Sequence, residues 1–149
     1  MASARTPRDR LGVFKDLSDV PERRRLERFS SAYTGRDVWG EYRATVDLSD
    51  RMGEEWARFA RRWKDHTADR GRHHALARPS DVETWSGWLL DQFSRDRAYQ
   101  HWNVIEGFYA WLMWHTDHRH SYNPFHMAAA DTESSAYTIW TRKIEKAND

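Results

Sequence analysis

The sequence contains no cysteine, which excludes disulfide bonds, thiolate nucleophiles and cysteine-ligated metal sites. It also lacks a long hydrophobic run. The longest apolar stretch without a charge, 107–114, is far shorter than the roughly 20 residues that span a bilayer. The first residues contain no apolar signal core. We therefore expect a cytoplasmic protein that has no membrane partner.

Glycine is also scarce, and the arrangement of the seven glycines excludes several kinds of active site. They form no glycine-rich phosphate-binding loop, and no Gly-x-Ser-x-Gly elbow is present. No segment alternates apolar and polar residues long enough to indicate a strand. We expect a protein that is not an enzyme, with no cofactor and no small-molecule substrate.

Aromatic residues are abundant instead. Nine Trp, six Tyr and six Phe in 149 residues provide the bulk for one well-packed core. Residues 1–17 are rich in charged and small residues without a sustained period, so we expect a flexible tail there. Residues 18–149 are predicted to form a single helical domain.

The positive charge is unevenly distributed along the chain. Residues 1–80 carry 18 Lys and Arg against 13 Asp and Glu, a net charge of +5, whereas 81–149 carry 6 against 10, a net charge of −4. Of the 24 basic residues, 20 are Arg and 4 are Lys. A basic half indicates a polyanionic partner, although a solvated helix face has the same composition.

Apolar residues recur at helical spacing in six segments, and the fold class is therefore predicted to be all-α. The stripes begin at Leu26, Trp39, Met52, Val82, Trp102 and Tyr137. We expect two short helices before residue 50, then longer helices, and a compact orthogonal bundle. The helix around 102–114 is apolar on most of its circumference, which predicts a central position in the core.

Capping residues and breaks predict the helix boundaries. Ser80 with Glu83 three residues later has the spacing of a capping box, and Ser134 or Ser135 is expected to cap the last helix. The charged run 95–97 is predicted to be a connection between helices. Asn123 and Pro124 are predicted to form a turn before a short helix.

The order of these segments from about 50 to 130 resembles the core-binding, SAM-like domain of tyrosine recombinases and phage integrases. The resemblance lies in the Trp and Phe spacing of 56–63, the capped segment 80–89, the phrase Phe-Tyr-Ala-Trp-Leu at 108–112, and the Asn-Pro turn at 123–124. The phrase 115–122 is similar to integrase-type proteins of haloarchaea. The resemblance implies a SAM-like four-helix core with helical additions at both ends.

The resemblance also implies a function without catalysis. Recombinases of this family carry their chemistry in a separate domain that needs a His-x-x-Arg motif and a Tyr nucleophile, and no His-x-x-Arg occurs in this sequence. We expect a duplex-DNA-binding module that acts as an accessory or regulatory factor in the recombination of a mobile element. Its partners would be double-stranded DNA, with a tyrosine recombinase or a second copy of the chain as further candidates.

Phosphate neutralisation requires Arg or Lys, and base recognition requires side chains that reach base edges. Such side chains lie in the helix predicted around 56–63, in the connector at 70–78, at the start of the helix predicted around 102–114 and in the segment that follows it. The predicted DNA contacts are Arg58, Arg61, Arg62, Arg70, Arg72, His73, His74, Arg78, Arg95, Arg97, Gln100, His101, Asn103 and Arg119.

Two alternatives remain open from the sequence. His115, His118 and His120 are candidate zinc ligands, but their spacing matches no strong metal motif, so we expect no metal. The other alternative is a protein–protein adapter that uses an exposed aromatic patch. Trp39, Trp140 and the final helix lie outside the family-like core and are the first candidates for that patch.

Overall fold

The computed structural model describes residues 14, 16–115 and 117–148, and this part of the chain contains helices but no strand, which confirms the all-α prediction. Three short 3₁₀ helices come first, at Leu17–Asp19, Glu22–Arg24 and Leu26–Phe29. The α-helices are α1 (Ser30–Tyr33), α2 (Val38–Arg43), α3 (Asp50–Asp69), α4 (Pro79–Gln92), α5 (Arg95–Trp114), α6 (Pro124–Ala129) and α7 (Ser135–Asn148).

Helix α5 lies at the centre of the bundle, as its apolar circumference predicts. It contacts α2, α3, α4, α6 and α7. Ile105, Phe108 and Leu112 are fully buried on one side, and Trp102 and Tyr109 are fully buried beside them. Large aromatic side chains remove about 150–250 Å² each from water, so this helix organises much of the core.

Gly71 ends α3 and sets the direction of the connector that follows. Its φ of 73° lies in the left-handed region, which glycine adopts without strain. Arg72 N donates to Thr67 O at 2.8 Å and Gly71 N donates to Ala68 O at 2.9 Å, the two hydrogen bonds of a Schellman motif. The break predicted after α3 therefore has a defined geometry.

The predicted capping box at Ser80 and Glu83 is wrong. Helix α4 begins at Pro79, because proline lacks an N–H and fits the first helical position. Asp81 Oδ2 accepts from Arg78 N at 2.8 Å. Glu83 instead accepts from Ser135 N and Ala136 N, each at 2.9 Å, and so caps α7 from a neighbouring helix.

The connection predicted at 95–97 is also wrong, because these residues form the first turn of α5. Ser94 is the N-cap, and its Oγ accepts from Arg97 N at 3.2 Å. Asp96 lies in this first turn, where the helix dipole favours negative charge. At α7 the predicted cap is confirmed, since Ser134 Oγ accepts from Tyr137 N at 2.9 Å.

The segment before α1 packs against the loop that follows α5. Leu26 N donates to Tyr122 Oη at 2.8 Å, and both residues are buried. Phe14 is buried in the core and Leu17 packs against it. Residues 1–13 and 15, most of the predicted tail, lie outside the described residues.

Candidate nucleic-acid interface

Four arginines from two helices lie close together on the surface. Helix α3 carries Arg58, Arg61 and Arg62 at the three- and four-residue spacing that places side chains on one face, and α5 contributes Arg97 from its first turn. Burial lowers the pKa of the Arg62 guanidinium, and the nearby charges of Arg97, Arg58 and Arg61 lower it further. We call these four residues the arginine cluster.

Aromatic rings support two of these guanidinium groups from below. The Arg62 guanidinium lies 5.0 Å from the centre of the Phe93 ring, and that of Arg97 lies 5.1 Å from the centre of the Phe59 ring. Cation–π contacts of this kind orient an arginine without neutralising it. The two rings therefore hold positive charge at the surface.

His101 lies between the two rings and below the cluster. Its ring centre is 4.3 Å from that of Phe59 and 4.7 Å from that of Phe93. Its Nδ1–H donates to Arg97 O at 2.8 Å, and its Nε2 accepts from Arg62 at 2.7 Å. Burial lowers the pKa of His101 to about 4, so the imidazole is neutral and acts as a hydrogen-bond acceptor for Arg62.

One carboxylate lies within this cluster. Glu55 accepts from Arg97 at 2.7 Å and from Arg58 at 3.3 Å. Among the described residues, no carboxylate forms an ion pair with Arg61 or Arg62. The cluster therefore keeps an excess of positive charge.

Two polar side chains extend the cluster along α5. Gln100 Oε1 accepts from Arg97 at 2.8 Å. Asn103 is half-buried, one turn further on, and lines a groove of about 500 Å³ between α3 and α5 that Arg97 and Gln100 also line. These amides can donate to or accept from base edges. The structure thus brings together six of the predicted contacts: Arg58, Arg61, Arg62, Arg97, Gln100 and Asn103.

The prediction that His101 itself contacts DNA is wrong. The residue is 0% exposed, and both ring nitrogens are engaged within the protein. Its place on the buried side of α5 follows from its spacing of four residues from Ile105, which is also fully buried. His101 supports the cluster and does not belong to its surface.

The connector arginines have a structural role. Arg70 and Arg72 both donate to Asp81, whose side chain is 0% exposed, and the Arg72 Nε to Asp81 Oδ2 distance is 3.2 Å. Arg78 forms an ion pair with Glu27. A buried carboxylate needs such partners, because leaving it unpaired is strongly destabilising. These three cations are therefore committed to holding the connector against α4 and the segment before α1.

His73 and His74 also support the connector. His73 Nε2–H donates to Arg36 O at 2.8 Å, and His74 Nε2 accepts from Trp39 N at 3.1 Å. Burial lowers the pKa of both imidazoles, that of His74 to about 3. Because both rings are neutral and hydrogen-bonded to the backbone, the structure does not place them as cations for a phosphate.

The remaining predicted contacts lie apart from the cluster. Arg95 donates to Glu145 at 2.8 Å and to Thr141 at 2.7 Å, and so ties the start of α5 to α7. Arg119 is exposed in the loop after α5, with its guanidinium 5.9 Å from the centre of the Phe29 ring. Neither arginine adds to the charge of the cluster.

The candidate zinc ligands take part in a buried network around Tyr33. The Tyr33 hydroxyl and His118 Nδ1 are 2.6 Å apart, and His120 Nε2–H donates to Ala75 O at 2.6 Å. We call Tyr33, His73, His74, His118 and His120 the histidine junction. His115 lies at its edge, with Nδ1 accepting from Asp117 N at 3.3 Å. Within the described residues, no group of three His, Asp or Glu is arranged to hold a metal ion.

Two of the residues suspected of forming an adapter surface, Trp39 and Trp140, are buried, so neither supplies an exposed patch, whereas the final helix, α7, is only partly buried. Trp39 is 7% exposed and Trp140 is 4% exposed, because both pack into the core. Among the residues that the structure describes, the most exposed large apolar side chain is instead Trp114, at 86%. None of the helices in the described ranges has the length and apolar character needed to cross a membrane.

The sequence did not identify Phe59, Phe93 or Glu55 as contacts of the arginine cluster. The signal for Phe59 was present, since it lies three residues before Arg62 on the same helix, but its pairing with Arg97 depends on how α3 packs against α5.

No family model, no curated protein and no solved structure matches this chain.

Proposed function

We propose that this protein binds duplex DNA through the arginine cluster. The observation that carries the proposal is the proximity of four guanidinium groups, of which Arg97 and Arg58 share one carboxylate while Arg61 and Arg62 form no ion pair among the described residues. Phosphate contacts supply most of the affinity of DNA-binding proteins, and arginine offers a planar fork of donors to phosphate oxygens.

The support beneath the cluster favours a binding role over a purely solvated surface. Arg62 and Arg97 have their positions restricted by ring faces and by hydrogen bonds to His101 and Glu55. Such pre-organisation lowers the entropy that is lost on binding. Gln100 and Asn103 lie next to the cluster and are the proposed contacts to base edges.

The biological role that we propose comes from the family resemblance. A core-binding domain without a catalytic domain would occupy a recombination site as an accessory or regulatory factor, and would not cut DNA itself. A partner tyrosine recombinase or a second copy of this chain would share the site. The six contacts brought together on α3 and α5 lie within the family-like region of about 50–130.

A salt titration of duplex binding tests the proposal. The slope of log affinity against log salt reports the number of neutralised phosphates, and each lost contact lowers it by about one. We expect the double variant Arg58→Gln/Arg61→Gln to bind more weakly and to have a slope lower by about two. Fluorescence anisotropy with a labelled duplex measures both quantities.

The matched control is Arg23→Gln/Arg24→Gln, which removes the same charge from exposed residues in a 3₁₀ helix before α1. It should keep the slope of the unchanged protein. Equal slopes for all three proteins would place the phosphate contacts elsewhere. Absence of duplex binding at low salt would overturn the proposal and favour the adapter function.

A further inference from the structure

A cleft of about 400 Å³ lies beside the arginine cluster, between α3 and α4. This volume is within the range of about 300–1,000 Å³ that is typical of small-ligand pockets. Its lining residues are Arg62, Asp65, His66, Asp69, Trp85 and Trp88. Arg62 belongs to both the cleft and the cluster, so a DNA molecule on the cluster passes the mouth of the cleft.

The wall formed by α4 contributes one exposed indole ring, that of Trp88. Trp88 is 40% exposed, although most tryptophans of this chain are buried. Its ring centre lies 5.9 Å from that of Phe93, the same ring that supports Arg62. Exposed indole rings beside cations are the platforms on which single bases stack in nucleic-acid complexes.

The wall formed by α3 carries two carboxylates in addition to Arg62 and His66. Asp65 and Asp69 are exposed and lie one helical turn apart, and no ion pair joins either of them to a cation among the described residues. Two like charges at this spacing disfavour the helix slightly. They would repel a phosphate but accept hydrogen bonds from a neutral group that carries N–H donors. The cleft therefore suits a flat, uncharged ring with a donor edge.

We propose that the cleft receives one unpaired nucleobase of the bound DNA, stacked on Trp88 and donating to Asp65 or Asp69. This inference rests on the proposed function. Cytosine, adenine and guanine carry an exocyclic amino group that a carboxylate accepts from. Thymine flanks its single ring N–H with two carbonyl oxygens, which a carboxylate repels. The cleft thus selects an amino-bearing base that is already extrahelical.

Binding of two duplexes of the same sequence tests the inference, one fully paired and one with a single bulged cytosine. Stacking on an aromatic side chain strengthens binding by roughly tenfold per base, and we expect that preference for the bulged duplex. Trp88→Ala should abolish the preference and keep the affinity for the paired duplex, which also shows that the variant is folded. Trp114→Ala removes an exposed tryptophan away from the cleft and should keep the preference.

Two further measurements report on the stacking and the identity of the unpaired base. A bulged 2-aminopurine should lose fluorescence when the unchanged protein binds, because stacking quenches it, and should stay bright with Trp88→Ala. The double variant Asp65→Asn/Asp69→Asn should lower the ratio of affinities for bulged cytosine and bulged thymine.

The outcomes separate the two proposals. Equal affinity for paired and bulged duplexes overturns the base-binding cleft and leaves duplex binding intact. A preference that survives in Trp88→Ala also overturns it. Absence of binding to either duplex at low salt overturns both proposals.

Discussion

The arginine cluster and the histidine junction are built from similar parts, basic side chains packed against aromatic rings, but they differ in charge. In the cluster, the guanidinium groups remain at the surface above Phe59 and Phe93. In the junction, His118 and His120 are 7% and 5% exposed and pack around Tyr33. The arginine cluster presents positive charge to solvent, whereas the buried imidazoles of the histidine junction are neutral.

The difference follows from the length and basicity of the two side chains. Arginine can pack its stem against a ring and still place an always-charged group in water. Imidazole is short, so a buried ring cannot keep contact with water, and burial lowers its pKa below the physiological range. His101, which lies below the arginine cluster, follows the same rule, since it is buried and burial lowers its pKa to about 4.

The largest expected effect that separates the regions is acid destabilisation of the junction. Burial lowers the pKa of His120 to about 4, whereas an unfolded histidine titrates near 6.5. Between these two pH values the unfolded chain therefore binds more protons than the folded chain. The contribution of neutral His120 to the free energy of unfolding is fully present above about pH 6.5 and is lost as the pH drops towards 4. For His120 alone the loss is on the order of 3 kcal/mol.

Urea unfolding at a series of pH values measures this loss. His120→Gln keeps a donor for Ala75 O and cannot be protonated, so its stability should fall less steeply over the same pH range. The comparison depends on the slope alone, so a uniform loss of stability in the variant does not affect it. Parallel curves for the two proteins would show that His120 is not a buried neutral group.

A smaller effect is expected from the hydroxyl at the centre of the junction. Burial raises the pKa of Tyr33, so its O–H stays protonated and donates to His118 Nδ1 at 2.6 Å. This assigns the ring proton of His118 to Nε2, which lies 3.5 Å from Glu41 Oε1. Tyr33→Phe leaves the buried Nδ1 without a donor, at a cost of about 1–3 kcal/mol in the free energy of unfolding.

The matched control is Tyr137→Phe, which removes a hydroxyl that has no hydrogen-bond partner among the described residues. Its unfolding free energy should change by less than about 0.5 kcal/mol. A Tyr33→Phe protein as stable as this control would contradict the hydrogen bond to His118.

The helices were predictable because their signals are local. The apolar stripe from Met52 to Trp63 predicts α3, and Ser134 predicts the N-terminal cap of α7. Ser80 failed as a cap because Pro79 is a better first residue and Asp81 a better acceptor for Arg78 N. Both signals are in the sequence, and the proline–aspartate pair outweighs the serine at this helix start.

The arginine cluster was only partly predictable because charge pairing across helices is not local. Arg70 and Arg61 look alike in the sequence, but Arg70 reaches a buried Asp81 that α4 brings towards it, whereas Arg61 has no such partner among the described residues. His101 could have been recognised as buried from its spacing to Ile105. The pairing of Phe59 with Arg97 could not, since it depends on the contact between α3 and α5.

The smallest expected effect concerns Glu55, the carboxylate that pairs with Arg97 and Arg58 of the arginine cluster. The hydrogen bond from Arg97 lowers the pKa of Glu55, so the side chain is charged at neutral pH and offsets part of the positive charge of Arg97 and Arg58. Glu55→Gln keeps an acceptor oxygen and removes that charge. If the cluster binds phosphate, the variant should bind duplex DNA a few-fold more tightly at low salt and raise the salt slope by up to about one.

The comparison for Glu55→Gln is Glu133→Gln, which makes the same chemical change at an exposed position in the turn before α7. The two variants have the same net charge, so any difference between them reports the position of Glu55 and not the total charge of the protein. Equal gains in affinity would mean that only long-range attraction is measured. A gain specific to Glu55 would tie the function to guanidinium groups that rings hold in place without neutralising them.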